Sequence, residues 1–265
     1  MATLSEYQYY EFQVIDRPLT AKEMQDLRSC STRARITPTS FVNEYSWGNF
    51  KGNVDAWMER YFDAFLYVAN WGTRVLKLRL PARLLDTETA QKYCCGHSAE
   101  AREKSGKVIL SFVSEDEEGD GWITGEGQLA SLISLRADLA RGNLRALYLG
   151  WLLCAQNNEL QDDDVEPPIP PGLDQLGGAL EGLVEFLRID RSLLHVAAAK
   201  STSISESQPE RAEIRAWIKA LPGQEKDDML IRLLEADDLS PASEIQQRFR
   251  KARCPAATST EARRT

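Results

Sequence analysis

Histidine is almost missing. There are two, His97 and His195, in 265 residues, which excludes a metal centre built mainly on imidazole. The familiar catalytic signatures are missing as well. No G-x-x-x-x-G-K-[ST], G-x-S-x-G or H-E-x-x-H occurs, so the enzyme classes that those motifs mark are not indicated. Long apolar runs are lacking too. The longest, LRALYLGWLLCA at 144–155, contains Arg145 and falls short of the roughly 20 residues that a membrane-spanning helix needs. The opening MATLSEYQYYEF has neither the basic nor the apolar segment of a secretory leader, so none is expected. Cysteine is sparse, odd in number and irregularly spaced: Cys30, Cys94, Cys95, Cys154 and Cys254. That suits free thiols in a reducing cytoplasm better than a disulfide framework.

What is present is an ordinary globular composition with a net charge of −8, in a chain long enough for one large domain or two small ones. Residues 1–127 carry 15 basic and 19 acidic side chains, residues 128–209 carry 6 and 11, and residues 210–265 carry 11 and 10. An acidic body repels a phosphate backbone. The exception is RFRKAR at 248–253, where Arg248, Arg250, Lys251 and Arg253 could meet RNA or an acidic partner, or simply suit a helix C-terminus.

Along the chain, YQYYEFQVID (7–16) reads as a strand. Thr20 and Glu23 form a capping box for a helix from about Ala21. RITPTSFVNEYSW (35–47) reads as extended. The spacing predicts one mostly buried helix over 53–72, capped by Asn53 or Asp55 and ended by Gly72. RVLKLRLP (74–81) and KVILSFVS (107–114) are strands, with a short helix after Asp86 between them. From 127 the pattern is helical: 127–143 and 144–156 as an antiparallel hairpin, an acidic, proline-rich loop, then helices over 173–189 and after Asp190. STSISESQPE (201–210) reads as a linker. Helices follow at 210–221, 225–236 and 241–252, before a disordered tail.

Several stretches invite a chemical reading. SEDEEGDGW (114–122) packs five carboxylates into nine residues, but it fits a calcium loop badly. The third position is Glu118, Glu126 falls one place early, and a strand precedes it. A solvated turn is the plainer reading. GEGQLA (125–130) has dinucleotide-loop spacing, without a preceding buried strand or an acidic residue about 20 positions on. CCGH (94–97) lacks the spacing and the second ligand pair of a zinc site. Trp47, Trp71, Trp122 and Trp151 each adjoin a glycine, which favours close core packing over base stacking. EPPIPP (166–171) reads as a stiff strap between helices. No metal and no cofactor are expected.

The most suggestive constellation is NEYSWGNFKG (43–52) with the helix expected after it. In a helix, Glu59 and Asp63 share one face, with Arg60 within reach of Asp63. Asp16, Arg17, Asn43 and Glu44, brought near by strands, would complete a carboxylate–arginine pocket, with Trp47 beside it. The plainer alternative makes Glu59, Arg60 and Asp63 the solvent-facing strip of a buried helix.

YEFQVIDRPLT (10–20), ITPTSFVNEYSWGNFKG (36–52), MERYFDAFLYVANWGT (58–73), LRALYLGWLLCAQ (144–156) and EPPIPPGL (166–173) together resemble a family of uncharacterised bacterial proteins. The resemblance covers about residues 7–195. It implies a bacterial, cytoplasmic protein and carries no activity, cofactor or catalytic residue.

The expectation is an α+β protein. A mixed region spans 1–127 and packs on a helical region over 128–200. A linker over 201–210, a small helical segment over 211–252 and a tail over 253–265 follow. Its expected function is that of an interaction or regulatory protein without catalysis, its partner another protein. One alternative is a hydrolase-like enzyme using Asp16, Arg17, Glu44, Glu59, Arg60 and Asp63. Another is nucleic-acid binding through the basic C-terminal helix alone.

Overall fold

The computed structural model describes residues 6–46, 48, 50–116, 124–161, 163–203, 211–235 and 240–253. Its centre is a seven-stranded sheet of β1 (Gln8–Gln13), β2 (Arg35–Thr37), β3 (Ser40–Tyr45), β4 (Ala64–Ala69), β5 (Arg74–Pro81), β6 (Ala99–Lys104) and β7 (Lys107–Ser114), in the order β2-β3-β1-β4-β5-β7-β6. Every neighbouring pair is antiparallel. Alternation along each strand gives the sheet two apolar faces.

The first face is aromatic. Phe12 lies opposite Phe41 on β3 and Phe65 on β4, and its ring centroid is 4.4 Å from that of Phe65 and 5.2 Å from that of Trp57. Helix α1 (Ala21–Cys30) adds Leu27, and α2 (Val54–Arg60) adds Trp57 and Met58. Helix α1 starts at the expected capping box, with Thr20 and Glu23 serving each other's backbone N–H.

The second face carries Leu66, Leu76, Leu78, Leu80, Leu110 and Phe112. Over it lie α3 (Thr87–Gln91), α4 (Gln128–Leu132), α5 (Ser134–Ala140), α6 (Arg145–Gln156), α7 (Gly178–Leu187) and α8 (Arg191–Lys200). A mixed N-terminal half thus packs on a helical one, as the α+β reading expects. Helix α6 approaches so closely that a Cβ at Gly150 would lie 2.6 Å from the Phe112 ring. The strap at 166–173 has carbonyls that no strand or helix partner takes. Side chains take them instead: Tyr93 donates to Pro168, Ser201 to Pro170 and Arg145 to Gly172.

Two sequence expectations need correction, and one strand forms where none is expected. The helix expected over 53–72 ends at Arg60, and residues 64–69 form β4, the central strand between β1 and β5. A strand buried on both faces is apolar at successive positions, and periodicity cannot separate that from a buried helix. The segment 127–143 is two helices, α4 and α5, broken at Ile133. They pack on α7, as α6 does, so α7 organises the layer in place of a 127–156 hairpin. Strand β6 carries no strand signal in the sequence, because its alanines and charges, AEAREK, are poor strand formers. Its turn, Ser105 and Gly106 at φ 53° and 71°, has the left-handed geometry of a tight hairpin.

After residue 203, α9 (Arg211–Ala220), α10 (Gly223–Glu235) and α11 (Ser240–Arg253) form the C-terminal segment. Their positions follow the sequence reading within about two residues. Most of the linker expected over 201–210 and nearly all of the tail over 253–265 lie outside the described residues.

Candidate functional site

The groups that sequence reasoning singled out separate into several clusters. Asp63 is fully buried, just before β4. Its Oδ2 accepts the backbone N–H groups of Ile15 at 2.7 Å and Asp16 at 2.9 Å. Its Oδ1 accepts Arg79 Nη2 at 2.7 Å and Nε at 3.2 Å. The same guanidinium donates through Nη1 to the carbonyls of Met58 and Glu59, both at 2.9 Å. Those are last-turn carbonyls of α2, which a helix leaves without internal partners. Arg79 therefore closes α2 where the sequence pattern suggests continuation.

A second arginine extends the cluster. Arg136, on α5, donates from Nε to the Arg79 carbonyl at 2.7 Å and from Nη2 to both carboxylate oxygens of Asp16 at 2.7 Å. Its Nη2 lies 3.9 Å from Asp63 Oδ1. Burial pushes the Asp63 carboxyl up. The amides of Asp16 and Ile15, together with Arg79, outweigh it and hold the group below the ordinary carboxylate value. Lys107, nearby, is lowered by burial first and by Arg79 second.

The other candidates lie elsewhere. Glu59 is not on a helix face shared with Asp63. It pairs with Arg102 at 3.1 Å, while Asp55, one turn earlier, pairs with Lys77 at 2.9 Å and Arg102 at 3.0 Å. The acidic edge of α2 is thus seated on basic side chains of β5 and β6. Arg60 is exposed and lies over the Tyr61 ring. Arg17 pairs with Glu23 at 2.6 Å. Glu44 is exposed, and Asn43 is buried and donates to Ser31 at 2.8 Å. Trp47 lies outside the described residues. The six carboxylate–arginine candidates therefore do not line one cleft. Asp16 and Asp63 meet, with Arg79 and Arg136 as partners that the sequence reading missed. Neither stands out locally: Arg79 continues the charged alternation of RVLKLRLP, and Arg136 lies in SLRADLA beside Asp138, so no spacing in the sequence marks them as buried charges that must find partners.

Among the shifted carboxylates of the described residues, Glu11 moves upward. Glu11, half-buried on β1, is pushed above its ordinary value by burial, and it accepts the Tyr9 hydroxyl at 2.9 Å.

Residues 117–123 of the acidic loop lie outside the described residues. In GEGQLA, a Cβ at Gly125 would lie 2.1 Å from the Tyr9 ring, and Gly127 sits at φ 79°. Packing and turn geometry therefore account for both glycines. Trp151 packs against the core and stacks on Tyr148, whereas Trp71 is 45% exposed. His97 and His195 are exposed. Among the described residues no group of three or more His, Cys, Asp or Glu is arranged to hold a metal ion.

The paired cysteines point apart: Cys94 is buried and Cys95 exposed. Cys95 reaches the thiol of Cys154 on α6. Burial, then Cys95 and Glu159, push Cys154 up to about 12. Glu159 pins this loop by accepting the Ser98 N–H at 2.9 Å and the Ser98 hydroxyl at 2.7 Å. Native-state alkylation followed by peptide mass spectrometry is expected to modify Cys95 well before Cys94 and Cys154. Equal labelling of Cys95 and Cys154 would contradict that order.

On the C-terminal segment, Arg248 pairs with Glu225 of α10, and Glu244 with Arg232. Arg250, Lys251 and Arg253 lie on α11, with side chains outside the described residues. The depression between α10 and α11 is lined by Met229, Arg232, Pro241, Glu244, Ile245 and Arg248.

Fold and site together define an α+β protein in which an antiparallel sheet is enclosed by two helical layers and tied at one end of its central strands by a buried ionic network. Comparison with known proteins finds no matching family model, no matching curated protein and no matching solved structure. Among the described residues, no helix is long and apolar enough to cross a membrane.

Proposed function

We propose that this protein is an interaction or regulatory protein without catalysis of its own, and that it engages another protein through α9 and α10. One observation carries the reading. Every residue of α9 except Trp217 is exposed, and Ile214, Ile218, Leu230, Ile231, Leu233 and Leu234 of α9 and α10 all face solvent. A ten-residue helix is marginal in water by itself. An amphipathic helix gains its stability by burying its apolar stripe, and helix docking into a groove is a recurrent way to do so. The Asp63 network supports the same reading from the other side. Its carboxylate oxygens are taken by amides and arginines, and such groups hold structure together and leave no free base.

The test is capture from the cells that make the protein, with the full chain as bait at moderate salt. Wild type is expected to retain a stoichiometric protein, another copy of the chain included. A chain carrying Ile218→Glu and Leu230→Glu is expected to lose it. Absence of any stoichiometric partner for wild type would sink the reading.

A further inference from the structure

We infer that the partner of this surface is a second copy of the same chain, with α9 of one copy lying antiparallel on α10 of the other; this rests on the reading of α9 and α10 as an interaction surface. The argument starts from the rows of side chains along each helix. On α9, Ile214 and Ile218 form an exposed apolar row at i, i+4. The next row on one flank is Arg211, Arg215 and Lys219, all basic. On α10, Leu230 and Leu234 form an exposed apolar row, Leu234 at 87% exposure. The next row on the same flank is Asp227, Ile231 and Glu235. Residues three and four apart are surface neighbours on a helix, so each charged row borders its apolar row.

Geometry then selects one arrangement. When two helices face each other antiparallel, equivalent flanks fall on the same side; when they run parallel, they fall on opposite sides. Antiparallel packing of α9 on α10 therefore sets Lys219 near Asp227 and Arg211 near Glu235, while the isoleucine and leucine rows close together. Among the described residues none of these four charges has an ion-pair partner within the chain. The opposite flanks are already used: Trp217 of α9 meets Phe249 of α11 at a 5.3 Å centroid distance, and Met229 of α10 is buried toward α11. The two rows cannot satisfy each other inside one chain either. Leu221 and Pro222 form the short corner between the helices, Lys226 Nζ donates to the Lys219 carbonyl across it, and both apolar rows remain exposed. One chain carries both halves of the contact, so a twofold pairing forms it twice, as an isologous interface requires.

Sedimentation velocity of the full chain tests this by charge exchange. Wild type is expected to sediment as a dimer at low salt and to shift toward monomer as salt screens the pairs. One variant carries Arg211→Glu and Lys219→Glu, and another carries Asp227→Lys and Glu235→Lys. Each alone is expected to sediment as a monomer, because like charges then face each other twice. Mixed in equal amounts they are expected to restore the dimer, since every facing pair is again opposite in sign. Circular dichroism of each variant confirms that the helices remain, and the mixture is informative because restoration requires two folded chains. A wild-type monomer at low salt overturns the inference, as does a mixture that stays monomeric while both variants keep their helices. If wild type is monomeric yet retains a different protein through Ile218 and Leu230 in the capture experiment, the self-pairing falls and the interaction reading stands. If neither a dimer nor a captured protein is found, both fall.

Discussion

An Asp63→Ala chain is expected to lose about 3–5 kcal/mol of unfolding free energy, the usual cost of breaking a buried ion pair by removing one partner. Total stabilities of domains run at roughly 5–15 kcal/mol, so the variant stands close to unfolding. The cost has three sources. Arg79, itself buried, loses its counter-charge. The amides of Ile15 and Asp16 lose their acceptor. Arg136 loses the negative charge behind Asp16. Urea denaturation followed by tryptophan fluorescence measures the loss. An Asp63→Asn chain, which keeps an acceptor for the amides, is expected to lose less. Arg79→Met combined with Asp63→Ala is expected to cost less than the sum of the two single changes, because the partners act as a unit. The acid limb follows from the sign of the shift. The carboxyl is held below its ordinary value when folded, so its contribution is present above about pH 4. It is lost as pH falls through the lower, folded value. Asp63→Ala should remove that part of the acid destabilisation. A midpoint within the error of wild type would show that the network holds nothing.

The second large effect is Phe12→Ala, expected at about 3–5 kcal/mol. Phe12 is fully buried, and its ring centroid lies within 6.0 Å of those of Phe41, Phe50, Trp57, Phe62 and Phe65. These rings come from β3, β4 and α2 and the segments flanking α2, so the cavity left behind cannot close by moving one side chain. Near-ultraviolet circular dichroism should fall together with stability, because Trp57 loses a packed neighbour. If the near-ultraviolet signal persists and the loss stays below about 1 kcal/mol, the aromatic layer is more plastic than its geometry implies.

The two residues stand differently against the sequence. Asp63 reads as the i+4 partner of Glu59 on a helix, and it is instead the buried hinge between a helix and a strand. Phe12 reads as a strand residue, without any indication that it centres a ring of aromatics. The error at Asp63 and the silence at Phe12 have one physical origin. Local signals act over a few residues: the Thr20–Glu23 capping box, the Asn53 and Asp86 caps and the alternation of RVLKLRLP. Each formed as written, because its partners lie within reach of one turn or one strand.

What the sequence by itself determined was the α+β class, the positions of strands and helices whose patterns are strictly periodic, the capped helix starts and the three C-terminal helices. Those depend on backbone preferences and on side chains that meet locally. The tertiary structure alone decided that AFLYVA is a central strand, that Arg79 of β5 pairs with Asp63 and stops α2, and that Arg136 of α5 joins Asp16 to the same cluster. Burial on both faces erases the periodicity that would distinguish strand from helix. An ion pair between residues far apart in the chain leaves no spacing to read, because only the packed sheet sets the distance between them.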